Sequence, residues 1–230
     1  MKQFFLAIAI SCLAFSACKK EGTEQATREF AVVNFSKLNM GSNLEINVIK
    51  ASSFSVKAAG RMRDIDDMRT EVQNGELKIW FTDILQKRER VKVNISMPSL
   101  IRFNFDGNSK VTVSNFTEAT DMQGFVSGNT KATLNASALN FKFNVSGNSE
   151  LTVNGNAEWV KANVSGNSFL NTYGVAAKNG EAVATDNSKT KIYTSVSLNA
   201  SASGNSHIYF KGNPGGRFFA ESDNSKIIEE

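Results

Sequence analysis

From residue 99 onward, apolar and polar residues alternate in short runs separated by almost identical turns. The tetrapeptide Ser-Gly-Asn-Ser occurs at 146–149, 165–168 and 203–206, and close variants of it occur four more times. Alternation with a period of two is typical of a strand that has one buried and one exposed face. The pattern therefore predicts a strand on each side of every turn.

The asparagine of each turn marks a repeat with a period close to 20 residues, since successive intervals are 21, 19, 19, 20, 18 and 19 residues. The seven asparagines are Asn108, Asn129, Asn148, Asn167, Asn187, Asn205 and Asn224. Such a period is typical of a solenoid, in which each coil buries its apolar face against the next. We predict a parallel β-helix (β-solenoid) of about seven coils. We expect it to be right-handed, because parallel crossovers nearly always are.

The residue before each asparagine is Gly in five copies and Asp in two, at Asp186 and Asp223. Gly and Asp share a tolerance of positive φ, whereas only Gly suits a close approach of another backbone. We therefore interpret the position as a left-handed turn residue without such an approach. The Ser or Thr that follows each asparagine has inward parity, so its hydroxyl and the stacked amides can bond from coil to coil. We interpret these seven motifs as structural turns rather than as ligand-binding loops.

Residues 28–98 alternate less regularly, and we place them in the same β unit as the repeats at 99–230, where extra strands cover one end of the rod. Asn74-Gly75 between two alternating runs predicts a tight hairpin. The acidic cluster at 64–67 admits a metal site, but we interpret it as a solvated loop.

The first residues are typical of a targeting segment. Residues 4–17 are a run of 14 uncharged residues, which is too short to span a bilayer but suits the core of a signal peptide. Ser16 and Ala17 precede Cys18 as in a bacterial lipobox. We expect a signal peptide at 1–17, a lipid on Cys18 that binds the membrane, and a polar tether at 18–27. The protein would be a lipoprotein of the cell envelope at the outer membrane, either exposed on the cell surface or facing the periplasm.

The composition of the chain limits which ligands and which catalytic or metal sites it can have. The 26 basic residues fall to 25 when Lys2 leaves with the signal peptide, against 22 acidic ones, which gives a net charge of +3 without any long basic run. That balance argues against a nucleic-acid partner. Both cysteines lie in the first 18 residues, and His207 is the single histidine. Without a convergent carboxylate, His or Cys set, we predict no enzyme activity, no metal and no cofactor.

A lipobox, a β-rich first part and repeated S-G-N-S turns between V-x-V-type strands resemble the auto-transporter adhesin head (GIN) domain family of exported proteins from Bacteroidetes-type bacteria. The resemblance covers roughly residues 30–230. It implies a β-solenoid and an adhesin role, and it supplies no catalytic residues.

Three functions remain open at this stage. The first is an adhesin-like module that binds a glycan or protein ligand, with Phe169 and Tyr209 on outward parity as candidate contact residues. The second is a structural scaffold of the envelope, and the least favoured is a polysaccharide-active enzyme. Near the last turn, we expect the charges of Lys226, Glu229 and Glu230 to protect the solenoid end, or a second copy to cover it in a weak homodimer.

Overall fold

The computed structural model describes residues 24–83 and 87–230, and within those ranges nearly all regular structure is strand. The strands are β1 (Gln25–Phe30), β2 (Lys37–Met40), β3 (Leu44–Lys50), β4 (Ser55–Arg61), β5 (Met68–Gln73), β6 (Glu76–Phe81), β7 (Val91–Met97), β8 (Arg102–Phe105), β9 (Lys110–Val126), β10 (Lys131–Val145), β11 (Glu150–Val164), β12 (Phe169–Ala184), β13 (Lys189–Tyr193), β14 (Ser197–Ala202), β15 (His207–Lys211), β16 (Gly216–Glu221) and β17 (Lys226–Glu229). A short helix, α1 (Met62–Asp67), joins β4 to β5.

The repeats form a β-solenoid, which confirms the predicted fold class. Strands pair in parallel and in register, so that Ala132 lies between Val111 and Leu151 in one inward column. Every second residue is buried at both ends of these long strands, as the alternation predicts, and the alternation is interrupted in their middle, at 139–140 in β10 and 154–159 in β11. The regular part winds about six turns, because seven asparagine turns enclose six complete repeats.

Two further strand layers extend the rod on its N-terminal side, and the chain does not reach them by simple coiling. β2 and β3 pair in parallel with β8 and β9, and β6 and β7 pair in parallel with β2 and β3. The antiparallel strand β4 then lies against β7, and β1 lies against β4. These antiparallel strands cover that end of the solenoid.

The short helix α1 corrects one expectation from the sequence. The acidic cluster at 64–67 is not a solvated loop, since it lies on α1 and the side chain of Asp64 is fully buried. Asp64 accepts a hydrogen bond from the backbone N–H of Glu89 at 3.3 Å. The predicted hairpin is confirmed: Asn74 and Gly75 have φ of 52° and 70°, and they connect the antiparallel strands β5 and β6.

The targeting segment lies outside the described residues, and so does Cys18. Strand β1 begins at Gln25, so the last residues of the segment assigned to a tether, 18–27, belong to the sheet. Among the described helical residues, no helix is long and apolar enough to cross a membrane.

At the other end of the rod, the last coil replaces inward apolar residues with a charged pair. Arg217 stands in the column of Leu198, and Glu229 stands in the column of Phe210. The guanidinium donates two hydrogen bonds to the carboxylate, at 2.7 and 3.0 Å, and lies over the ring of Phe210. A bidentate pair thus covers part of the apolar interior.

Candidate functional site

The repeated turns were one candidate for a ligand-binding loop, and their geometry shows how they support the fold. The residue before asparagine has positive φ in all seven copies, between 58° and 75°. The prediction of a left-handed residue is thus confirmed. The argument against a close approach was wrong, because a Cβ on Gly147 would lie 2.7 Å from the carbonyl oxygen of Gly128 in the preceding coil.

Asparagine amides form a ladder along these turns. Side-chain Nδ2 groups donate to the Oδ1 of the preceding coil at 3.0 to 3.4 Å, in six of the steps between neighbouring coils. The ladder begins one coil earlier than the sequence indicated, at Asn43, which accepts from Asn108. The inward Ser and Thr residues are buried, and the hydroxyl of Ser206 donates to the carbonyl oxygen of Ala184 at 2.8 Å. These turns hold adjacent coils together.

A different surface gathers most of the chemically distinctive side chains. The outward residues of β12, β13 and β15 include all three tyrosines and the single histidine of the chain. We call this surface the lysine–aromatic face, and its residues are Phe169, Tyr173, Lys189, Lys191, Tyr193, His207, Tyr209 and Lys211.

Lysines and rings alternate across the lysine–aromatic face because neighbouring coils are in register. Phe169 pairs with Lys189, which pairs with His207, and Lys191 pairs with Tyr209. The ammonium of Lys189 lies 4.6 Å from the ring centroid of Tyr209 and 5.9 Å from that of Phe169. The two aromatic residues selected from the sequence therefore lie on one surface, bridged by a lysine.

Tyr173 and Lys191 form a second contact group on the same face. The Lys191 ammonium lies 4.9 Å from the Tyr173 ring centroid, and the Lys211 ammonium lies 4.8 Å from it. The Tyr173 hydroxyl donates to Glu230 at 3.1 Å, and Lys191 donates to the same carboxylate oxygen at 3.3 Å. Burial raises the pKa of Tyr173, and the hydrogen bond to Glu230 and the charge of that carboxylate raise it further.

Glu230 shows that the lysine–aromatic face holds a carboxylate. Burial alone would raise the pKa of Glu230, but the hydrogen bonds from Lys191 and Tyr173 and the charges of Lys191 and Lys211 outweigh it, so the pKa is lowered. The anionic form is therefore favoured where it contacts these groups. A carboxylate on this surface has both cationic and phenolic donors within reach.

Sequence reasoning found part of this face and missed the rest. Phe169 and Tyr209 were identified by their outward parity two and four residues after an asparagine. The column six residues after each asparagine was not followed, and it contains Tyr173, Tyr193, Lys211 and Glu230. The same parity argument, extended by one step, would have found them.

The lysine–aromatic face lies far from the end where the chain enters the sheet. Strand β13 is eight strand spacings from β1 along the pairing order β1, β4, β7, β3, β9, β10, β11, β12, β13. At ~4.8 Å for each spacing, the separation is roughly 38 Å. The face is near one tip of the rod, and residue 24 is near the other.

Within 24–83 and 87–230, no group of three or more His, Cys, Asp or Glu side chains could hold a metal ion. His207 stacks on Tyr209, with the ring centroids 6.1 Å apart. The geometry of the face is suited to binding.

Solved structures from Bacteroides and Parabacteroides species share this fold. A putative adhesin from Bacteroides fragilis aligns with a TM-score of 0.83 at 17% identity, covering 90% of this chain and 97% of that one. A putative lipid binding protein from Parabacteroides distasonis aligns with a TM-score of 0.72 at 18% identity, covering 90% and 96%. A putative adhesin from the same species aligns with a TM-score of 0.76 at 15% identity, covering 90% and 97%.

No curated protein matches the sequence. The family described as "Putative auto-transporter adhesin, head GIN domain" matches residues 34–214. That span includes the first parallel layers, the asparagine ladder up to Asn205 and the whole lysine–aromatic face. The chain therefore belongs to the auto-transporter adhesin head (GIN) domain family.

Proposed function

We propose that this protein is an envelope-anchored, non-enzymatic adhesin-like rod whose lysine–aromatic face binds an anionic glycan. The observation that carries the proposal is the alternation of lysines and aromatic rings over three neighbouring coils. Membership of the adhesin head family supports a binding role, and the structural relatives named above are described as putative adhesins and a putative lipid binding protein.

The chemistry of the face favours a ligand with sugar rings and acidic groups. Aromatic rings present flat apolar surfaces with polar edges, which suit the apolar side of a pyranose. Ammonium groups form charge-assisted hydrogen bonds with carboxylate or sulfate oxygens. Glu230 occupies such a position between Lys191 and Tyr173, so an acidic group of a glycan would replace it there.

The position of the face supports a role at the cell surface. A lipid on Cys18 and a short tether would hold the N-terminal end at the outer membrane, and the face would project from the opposite end of the rod. Shaving intact cells with a protease tests this arrangement. Loss of the protein before the cells lyse is expected, and full protection in intact cells would contradict surface exposure.

Glycan binding is tested with the full chain carrying Cys18→Ala on an array of neutral, carboxylated and sulfated glycans. We expect the acidic glycans to be retained, and we expect Tyr209→Ala and Lys191→Ala each to weaken binding at least tenfold, about 1.4 kcal/mol. Raising the salt concentration should weaken binding further, because exposed charges are screened.

Two variants at outward residues that lie away from the lysine–aromatic face serve as controls. Lys142→Ala removes an exposed lysine of β10, and Phe218→Ala removes an aromatic ring that is 74% exposed on β16. Both should bind as the parent does. Equal losses in the control and face variants would show nonspecific adsorption, and retention of neutral glycans alone would refute the anionic class.

A second candidate function is a structural envelope scaffold that pairs through the solenoid end. Within the part of the chain that the structure describes, β16 pairs only with β14 and β17 only with β15. Phe219 is 42% exposed there and Ile228 is 36% exposed, and an open strand edge accepts a second strand. A weak homodimer through this end predicts a mass in solution that rises with concentration. Ile228→Lys should abolish that rise, and a strict monomer in both proteins would remove the scaffold.

A further inference from the structure

A groove on the flank of the first regular coils is separate from the lysine–aromatic face. Its wider part has a volume of about 660 Å³ and lies between the segment before β8 and the bend of β9. A second part of about 480 Å³ shares Thr117, Ala119 and Thr120 with the first and continues past β10 to β11. The two parts form one elongated groove along the rod.

The groove exists because one coil is longer than its neighbours. The interval from Asn108 to Asn129 is 21 residues, whereas the next is 19. The pairing of β9 with β10 shifts register on both sides of Ala136, and Asn115 adopts a φ of 72°. The extra residues bulge from the wall, and bulges of this kind often lie beside binding sites.

Apolar side chains run along the groove in successive coils. At the wide end, Leu100 and Phe116 are buried in its floor, and Ile101 is 42% exposed. Further along, Ala138 and Ala157 line it, and Leu139 is 57% exposed. From Ile101 to Ala157 the strip crosses three strand spacings, or roughly 14 Å.

Basic residues that line the groove lie at its wide end. Among the described side chains, Lys37, Lys50 and Arg102 line this part together with the acidic Asp121. Asp121 accepts a hydrogen bond from Asn140 at 2.8 Å, and the guanidinium of Arg102 lies 5.0 Å from the ring centroid of Phe125. At the narrow end the charged residue is Glu158, which pairs with Lys178 at 3.0 Å.

We propose that this groove binds a fatty acid, with the carboxylate among Lys37, Lys50 and Arg102 and the acyl chain along the apolar strip. The polarity of the groove carries the assignment, since cations stand at one end and apolar residues continue away from them. An apolar channel with a few polar groups at one end suits such a ligand in both volume and chemistry. The site uses none of the residues of the lysine–aromatic face.

The test uses the full chain carrying Cys18→Ser, so that no covalent lipid competes for the groove. Dodecanoate and the neutral dodecyl maltoside are titrated below their micellar concentrations by isothermal titration calorimetry. We expect saturable binding of dodecanoate, with at least tenfold weaker binding of dodecyl maltoside. Arg102→Gln should weaken dodecanoate binding at least fivefold without affecting the neutral amphiphile.

Leu139→Glu places a negative charge in the path of the acyl chain, and we expect it to weaken dodecanoate binding at least tenfold. The matched control is Val196→Glu, because Val196 is 52% exposed at the same corner of a later coil. Circular dichroism confirms that both variants fold. The proposal is overturned if the parent shows no saturable binding, if both amphiphiles bind equally, or if Val196→Glu weakens binding as much as Leu139→Glu.

Discussion

Replacing Gly147 by Val or by Asp separates the two constraints that act on the turn residue. The backbone of Gly147 has a φ of 75°, which strains any residue with a Cβ and strains a β-branched one most. A Cβ would also lie 2.7 Å from the Gly128 carbonyl oxygen and 3.0 Å from the Gly128 nitrogen. Both substitutions meet this contact, so the difference between them comes from side-chain chemistry and branching.

In two of the native repeats, Asp occupies the position that Gly147 has in its own turn. Asp186 and Asp223 have φ of 61° and 58°. The carboxylate of Asp186 accepts a hydrogen bond from the N–H of Gly166 at 2.9 Å, and that of Asp223 accepts one from Gly204 at 3.2 Å. In Gly147→Asp, the carboxylate would accept the N–H of Gly128 in the same way, and that bond would offset part of the strain.

The expected free energies follow from these contacts. Val at a left-handed position costs about 1–2 kcal/mol, and the unrelieved backbone contact adds about 1–3 kcal/mol. We therefore expect Gly147→Val to lower the free energy of unfolding by about 3 kcal/mol. For Gly147→Asp, most of the left-handed cost is absent because Asp tolerates that conformation, and a hydrogen bond worth about 1 kcal/mol offsets part of the shared contact, so we expect a net loss of about 1 kcal/mol.

Thermal and urea unfolding, followed by circular dichroism, measure the difference. For a chain of this length, about 3 kcal/mol corresponds to a decrease in Tm of roughly 6–12 °C, and Gly147→Asp should lower Tm by less than about 4 °C. Equal losses for Val and Asp would refute the reasoning, because they would mean that the coil-to-coil hydrogen bond contributes nothing. A harmless Gly147→Val would show that neither the backbone angle nor the contact constrains the turn.

Three further predictions concern the anchor, acid stability and catalysis. Cys18→Ala should move the protein from the membrane fraction to the soluble fraction, and a variant that stays membrane-bound would refute lipidation. Burial alone would raise the pKa of Asp67, but hydrogen bonds from Thr82 and Arg88 outweigh it and lower the pKa below 3.8. Its contribution to stability is then present above that value and lost as the pH falls further, so Asp67→Asn should flatten the decrease in stability as the pH falls below about 4. Pure protein should not turn over polysaccharides, and turnover that disappears when one or two acidic residues are changed would contradict the non-enzymatic assignment.

The regular coils were predictable because every repeat must satisfy the same local requirements at its turn. Each turn needs a left-handed residue, an amide for the ladder and a small inward hydroxyl. The asparagines therefore recur with a period that can be recognised without knowing which strands pair. The first rung at Asn43 was missed because Ser42 occupies the left-handed position, with a φ of 78°. The distance to Asn108 is 65 residues, which also breaks the period.

The N-terminal layers depend on contacts that no local pattern encodes. Strand β6 precedes β8 in the chain, yet β2 lies between them in the sheet. Alternation shows that each of these segments is a strand, but their order is decided by which edges remain open after the others have paired. The groove could be predicted only in part. The 21-residue interval indicates extra residues in one coil, but only the structure shows that they open the wall beside three cations.

The hydrogen bonds between coils point along the rod, and that direction determines how the molecule would respond to tension. The N–H of Ser146 reaches the carbonyl of Val126 at 2.9 Å, and the N–H of Ser165 reaches that of Val145 at 3.0 Å. A load between the lysine–aromatic face and the N-terminal end stretches such bonds directly, so coils would peel apart one after another. Each peeled coil of about 19 residues would release up to ~65 Å of chain. A rod built this way would extend in small steps under tension, and each opened coil would be roughly tenfold longer than the ~4.8 Å that it occupies in the rod.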